Sequence, residues 1–126
     1  MSWQAYVDTN LVGSGKISKA AILGKQGGVW AASAGYNLSD QEQKAVVAAF
    51  SDLDGVRASG LHLAGVKFFT VQASERSIYG KKGGDGYTIV ATTQAVLVAE
   101  YAAPIQAQEA TKVAEELADY LITAGY

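Results

Sequence analysis

The chain contains no cysteine, which excludes disulfides, thiol nucleophiles and thiolate metal sites together. It has one histidine, His62, so any nucleophilic triad or imidazole metal ligand would have to draw on that residue alone. Proline is as scarce, with one residue in 126, and no Pro/Gly/Ser-rich tract marks a linker or a disordered tail. No apolar run approaches the ~20 residues that a bilayer-spanning helix needs. The opening Met1-Ser2-Trp3-Gln4-Ala5-Tyr6-Val7-Asp8 lacks the basic-then-apolar order of a signal peptide, so a cytoplasmic location is expected. An excess of one charge sign is also missing. Ten basic against twelve acidic side chains leave -2, too little cationic charge for a nucleic-acid partner.

What remains is ordinary globular chemistry, 49% hydrophobic and 17% charged. A chain of this length builds one core without cross-links, so residues 1–126 are expected to form a single domain. Trp3, Tyr6, Val7 and Leu11 stand at helical spacing behind Ser2, a candidate N-cap, and Gly13-Ser14-Gly15 closes the segment Ser2 to Val12. Ala20 to Leu23 and Val29 to Ala34 predict two strands joined by the glycine-rich Gly24 to Gly28. Ser39 followed by Glu42 predicts a capping box, and Ala45, Val46, Ala49 and Phe50 supply the apolar stripe of a helix that Ser51 to Gly55 should stop.

Beyond it the pattern shortens to β-branched and aromatic runs. Strands are predicted at Leu61 to Leu63, Val66 to Gln72, Arg76 to Tyr79, Thr88 to Ala91 and Ala95 to Glu100. The intervening breaks are hairpin-sized, which predicts antiparallel pairing. Gln106 to Ala124 predicts an amphipathic helix, with Ala110, Val113, Ala114, Leu117 and Leu121 inward and Lys112, Glu115, Glu116 and Asp119 outward. The class is α+β: a central antiparallel sheet of about six or seven strands flanked by helices.

Catalytic chemistry is hard to assemble from these residues. His62 lies in the alternating Leu61-His62-Leu63, where a polar-face strand residue is expected. Asp52 and Asp54 lack the other ligands of a calcium loop and fit a turn. The pairs Gly15-Lys16, Gly24-Lys25 and Gly80-Lys81 lack the glycine and the Ser/Thr of a phosphate loop. Glu75-Arg76-Ser77 has no histidine nearby in sequence. A binding protein with no catalytic, metal or cofactor site is therefore expected.

Two features are left over. Trp3, Tyr6, Trp30, Tyr120 and Tyr126 either close the core over the sheet or form a surface on which a polyproline II helix stacks. Between Lys67 and Lys82 four bases face one acid, a local +3. This is either a solvated strand face or a docking surface for an acidic protein or anionic headgroups.

The opening Ser2 to Asp8, the strand Val29-Trp30-Ala31-Ala32-Ser33, the run Arg76-Ser77-Ile78-Tyr79-Gly80-Lys81, and the ending Glu109 to Lys112 with Leu117 to Leu121 resemble the profilin family, in its fungal form. The resemblance runs through the whole chain. It implies that the N- and C-terminal helices pack side by side on one sheet face, with a further short helix on the other. It implies a cytoplasmic, cytoskeletal monomer that binds monomeric actin and the proline-rich segments of proteins such as formins, regulating actin polymerisation and nucleotide exchange. Carried over by position, the proline groove would be Trp3, Tyr6, Trp30, Tyr120, Leu121 and Tyr126. The actin face would be Lys67, Arg76, Lys81, Thr111, Lys112 and Glu116. Phosphoinositide headgroups are a further implied partner. The chain departs from the family pattern at Gln72 and at Ala91-Thr92-Thr93, where bases are common, and at Gln108, where glycine is. Each missing cation removes about 1 kcal/mol or less at a rim. A proline-ligand adaptor without actin binding is the alternative function, and a small-molecule sensor domain a more distant one.

Overall fold

The computed structural model describes residues 2–126. Seven strands, β1 (Lys19–Gly24), β2 (Val29–Ala32), β3 (Leu61–Leu63), β4 (Val66–Ala73), β5 (Ser77–Lys82), β6 (Asp85–Ala91) and β7 (Ala95–Tyr101), form one sheet. Their order is β2-β1-β7-β6-β5-β4-β3, and every pairing is antiparallel. Successive strands pair as hairpins except at one seam. There β1 lies against β7, from Lys19 opposite Glu100 to Gly24 opposite Ala95. Strands β1, β6 and β7 are buried along almost their whole length. They read as near-continuous apolar runs because both of their faces are covered.

One face carries the chain's two ends. The first helix begins as α1 (Trp3–Ala5), widens into a π segment over Tyr6–Leu11 and tightens into a 3-10 turn at Val12–Ser14. Ser2 Oγ caps it, accepting from the Ala5 N–H at 3.1 Å. Gly15, at φ 77°, ends it in the left-handed region. Helix α4 (Ala107–Thr123) packs beside it over β6 and β7. Val7, Leu11, Leu97, Ala114 and Leu121 are fully buried between them and the sheet. The other face carries α2 (Asp40–Ala49) and α3 (Leu53–Ser59) over a second core that includes Phe68, Ile78 and Tyr87.

The capping box of α2 is present in full: the Glu42 N–H donates to Ser39 Oγ at 3.1 Å and the Ser39 N–H to Glu42 Oε1 at 2.9 Å. The same carboxylate accepts from Ala64 and Gly65, at 3.1 and 2.8 Å, in the β3–β4 turn. Burial works against its charge, but these backbone donors outweigh burial and hold its pKa below the usual value.

Three sequence expectations change. Ser51 to Gly55 does not simply stop α2. Asp52 accepts from the Gly55 N–H at 3.1 Å and caps a new helix, α3, in which Arg57 pairs with Asp54 at 3.0 Å. The far face therefore has two helices, not one. Gly86, in the break expected over Gly83 to Gly86, and Gly80, one residue past the predicted strand Arg76 to Tyr79, are both strand residues, and aromatic rings fill the space a side chain would take. A Cβ on Gly80 would stand 2.2 Å from the Tyr87 ring, and one on Gly86 2.3 Å from the Tyr101 hydroxyl. Glu115, finally, turns toward β5 and not to solvent. Its carboxylate accepts from Ser77 Oγ at 2.6 Å, Tyr79 OH at 2.8 Å and Arg76 Nε at 3.1 Å.

Candidate functional site

The packing of α4 beside the first helix brings the aromatic residues of both chain ends together. Trp3 is the hub. Its ring centroid lies 4.7 Å from Trp30, 5.6 Å from Tyr6 and 5.0 Å from Tyr126, the last edge-on at 85°. Tyr6 continues the line to Tyr120 at 6.1 Å. These separations are those of directly packed rings. Tyr120 beside the Tyr6 phenol, with burial, raises the Tyr6 pKa. The rings are not sealed inside. Trp30, Tyr120 and Tyr126 are 37%, 56% and 43% exposed, and Trp3 and Tyr6 are half-buried. The result is a shallow trough of five rings.

Local features hold each ring in place. Trp30 stands on β2, the edge strand, and its indole lies over Gly24: a Cβ there would be 2.5 Å from Nε1. Gly24, read from sequence as part of a loop, is a strand residue whose missing side chain seats the tryptophan. Gly125, at φ 98°, reverses the chain after α4 so that Tyr126 folds back over Trp3. The turn before β7 then clamps that end. Thr92 Oγ1 donates to the Tyr126 main-chain oxygen at 2.7 Å, the Gln94 N–H donates to the same oxygen, and Gln94 Nε2 donates to the Gly125 carbonyl at 2.9 Å. Ala91 and Thr92 are buried, so two of the three positions where family members often carry bases offer no surface here.

Leu121, placed in the proline groove by resemblance, is a correction. It is fully buried in the core beneath the rings, because it follows Tyr120 by one residue and so turns inward along α4.

The basic face is less uniform than its sequence suggests. Lys67 lies over the Phe69 ring, 5.7 Å from its centroid. Lys81, Thr111 and Gln108 line one groove with Val71 and Tyr79, between β5 and the start of α4. Thr111 is tied to the sheet, its Oγ1 3.0 Å from Thr88 Oγ1. Arg76, by contrast, is committed within the chain. It bonds Asp119 at 2.7 Å and Glu115 at 3.0 Å, and Asp119 first among its neighbours raises its pKa. Lys112 is exposed on α4, while Glu116 lines a different groove, with Tyr6 and Tyr120. The structure thus joins Lys81 with Thr111 but separates Glu116 from them.

Sequence reasoning missed Phe69 and Val71, 67% and 62% exposed on β4. The signal was the adjacent pair Phe68-Phe69: neighbouring strand residues face opposite sides, so only one could enter the α2/α3 core. Phe69 and Val71 stay uncovered because α4 packs over β6 and β7. Among the described residues no group of three or more His, Asp or Glu could hold a metal ion.

An α+β sheet with a ring-lined trough on one side and an apolar-basic face beside it defines a module for binding other proteins. Its sequence matches the Profilin family model over residues 1–126, and the chain belongs to the profilin family. It is 50% identical to Profilin-1A of Acanthamoeba castellanii over 126 residues, covering all of both chains. It is also 50% identical to the profilin of Schizosaccharomyces pombe over 127 residues, again covering both fully. The fungal likeness is therefore shared by amoeboid members. The solved structure of Acanthamoeba castellanii profilin IB superposes with a TM-score of 0.97 at 50% identity, covering 99% of this chain and 100% of that one. Mouse profilin IIa, solved in complex with a double repeat from the FH1 domain of mDia1, superposes at 0.84 with 25% identity over the full length of both.

Proposed function

We propose that this profilin-family chain binds two partners on separate surfaces, proline-rich segments in the aromatic trough and monomeric actin on the Lys67–Lys81 face, and so regulates actin polymerisation in the cytoplasm. The observation that supports it most is the five-ring contact series Trp30–Trp3–Tyr126 with Tyr6–Tyr120, partly exposed along its length. A polyproline II helix has no internal hydrogen bonds and is already stiff. Rings stack on its proline faces, and indole N–H and phenol O–H groups donate to its free carbonyls, so little ordering entropy opposes binding. The mouse relative solved with an FH1 repeat supports the ligand class.

For actin the support is an exposed apolar pair, Phe69 and Val71, flanked by Lys67 and Lys81. An apolar centre with a cationic rim has the make-up of a protein-docking patch. Binding there would regulate by shifting populations of actin states, without covalent chemistry. Pairing of Arg76 with two carboxylates lowers the charge left for anionic headgroups, so phosphoinositide binding has less behind it than either protein partner.

Parallel calorimetric titrations with actin monomers and with a proline-run peptide test both halves. Saturable binding of each is expected, the short peptide at about 10–100 μM. A peptide signal without an actin signal would leave only a proline-ligand adaptor. Absence of the peptide signal would remove the trough from the reading.

A further inference from the structure

The trough does not end at Tyr120. Past Tyr6 and Tyr120 it opens into a groove of about 590 Å³ between the first helix and α4, lined further by Asn10, Val113 and Glu116. Glu116 stands one helical turn before Tyr120 and so shares its face of α4. Of the nearby charges, Glu116 and Lys112 are uncommitted and the others are paired. Lys16 pairs with Glu109 at 2.6 Å, and Asp119 and Glu115 pair with Arg76. Glu116 has no ion pair or hydrogen bond among the described residues. Lys112, four residues earlier in α4, stands in the less favourable order for a helical pair and makes none.

We infer that this groove is a flanking subsite of the proline trough, in which Glu116 selects ligands carrying a lysine or arginine beside the proline run. The inference rests on the proline-trough reading above and adds a specificity to it. Two observations support it: the groove shares Tyr6 and Tyr120 with the trough, and its only charged lining group is an unpaired carboxylate. The spacing also fits. One helical turn from Tyr120 to Glu116 is about 6 Å, two residues of polyproline II at about 3.1 Å each. A base two or three positions beyond the last ring-stacked proline therefore reaches the carboxylate, while its methylene stem lies along Val113. The proline helix fixes the distance, so the charge needs no extra ordering of the ligand backbone.

The test uses peptides with one fixed proline run, extended at either end by arginines or by glutamines, titrated into the parent and into Glu116→Gln. Supporting the inference, the arginine peptide binds about two- to fivefold tighter than its glutamine twin at low salt, for one end of the run. That ratio falls toward one in high salt and in Glu116→Gln, and inverts in Glu116→Lys. A ratio of one in the parent at low salt, or a ratio untouched by Glu116→Gln, overturns it while the trough stands. If no peptide binds at all, the trough itself fails and the subsite with it.

Discussion

The indole of Trp3, in the first turn of the chain's opening helix, packs 4.7 Å from the indole of Trp30 on the edge strand β2. Trp3 lies in the first turn of its helix and Trp30 on a sheet edge. Together, and with Tyr126 closing from the third side at 5.0 Å, they make one platform from a first helical turn, a sheet edge and a residue beyond the end of α4.

Trp3→Ala removes the hub that touches three other rings. Proline-peptide affinity is expected to fall at least tenfold, which is about 1.4 kcal/mol, while actin-monomer affinity stays within twofold. Calorimetry with each partner checks both. Joint loss with an unchanged thermal midpoint would mean that the two partners share one surface.

Gly24→Ala tests the platform without touching a ring. The added methyl would meet the Trp30 indole at 2.5 Å, and Gly24 has no left-handed backbone to complicate the change. Trp30 should swing outward, with red-shifted emission and a severalfold weaker proline affinity. An unshifted spectrum with full affinity would show that the close approach of Gly24 and Trp30 does not seat the ring.

Lys81→Glu places an anion in the groove that Thr111 and Val71 line. Actin affinity should drop about tenfold at low salt, by like-charge juxtaposition at a rim, with proline affinity and stability unchanged. Arg76→Ala behaves differently. Because Arg76 bonds Glu115 and Asp119, it should lower the unfolding midpoint as well as actin affinity. Equal stability of the two variants would contradict that distinction.

Glu115→Ala strands three donors, from Arg76, Ser77 and Tyr79. Ser77 is buried and Tyr79 half-buried, so losing their acceptor should cost about 2 kcal/mol, roughly 6–10 °C in midpoint for a domain of this size. Thermal unfolding followed by circular dichroism measures it. A shift below about 2 °C would mean that water replaces the carboxylate.

Glu42 and Glu100 should pull stability in opposite directions with pH. Backbone donors hold Glu42 below its ordinary 4.5 despite burial, so its contribution is present above that value and lost as pH falls through the lowered one. Burial raises the Glu100 pKa. The neighbouring Tyr36 hydroxyl and then Lys19 work the other way, Asp85 and Glu42 add to the rise, and burial outweighs the opposing pair. Glu100 therefore favours folding below 4.5 and loses that contribution as pH rises through its raised value. Glu42→Gln should cost stability at pH 7 and little in acid, whereas Glu100→Gln should gain at pH 7 and change little in acid. Denaturant midpoints across the range would expose either sign if reversed.

Local rules made much of this protein legible. The Ser2 cap, the Ser39–Glu42 box and the inward stripe of α4 depend on residues within one or two turns, and all three are present. The second helix on the far face was hidden because Gly55 reads as a stop until Asp52 is seen to cap through it. Gly86 likewise reads as part of a break until Tyr101 is seen opposite it across the ladder. The five trough rings were identifiable by their misplaced chemistry. Leu121 was separable from them: the apolar stripe of α4 already places it inward, where the structure buries it, and only the resemblance put it in the groove.

Sequence alone determined the class of the fold, the strand-turn rhythm, the lack of thiolate chemistry and the unusual rings at the two chain ends. Those follow from composition and from periodicities that span a few residues. Only the tertiary structure decided that β1 pairs with β7, so that the first helix and α4 share a face and their rings meet. It also decided that Arg76 is committed while Lys81 is free to line a groove. The physical reason is the same in each case: hydrophobic burial fixes which distant surfaces touch, and neither a contact nor an ion pair between distant residues has a local signature in the chain.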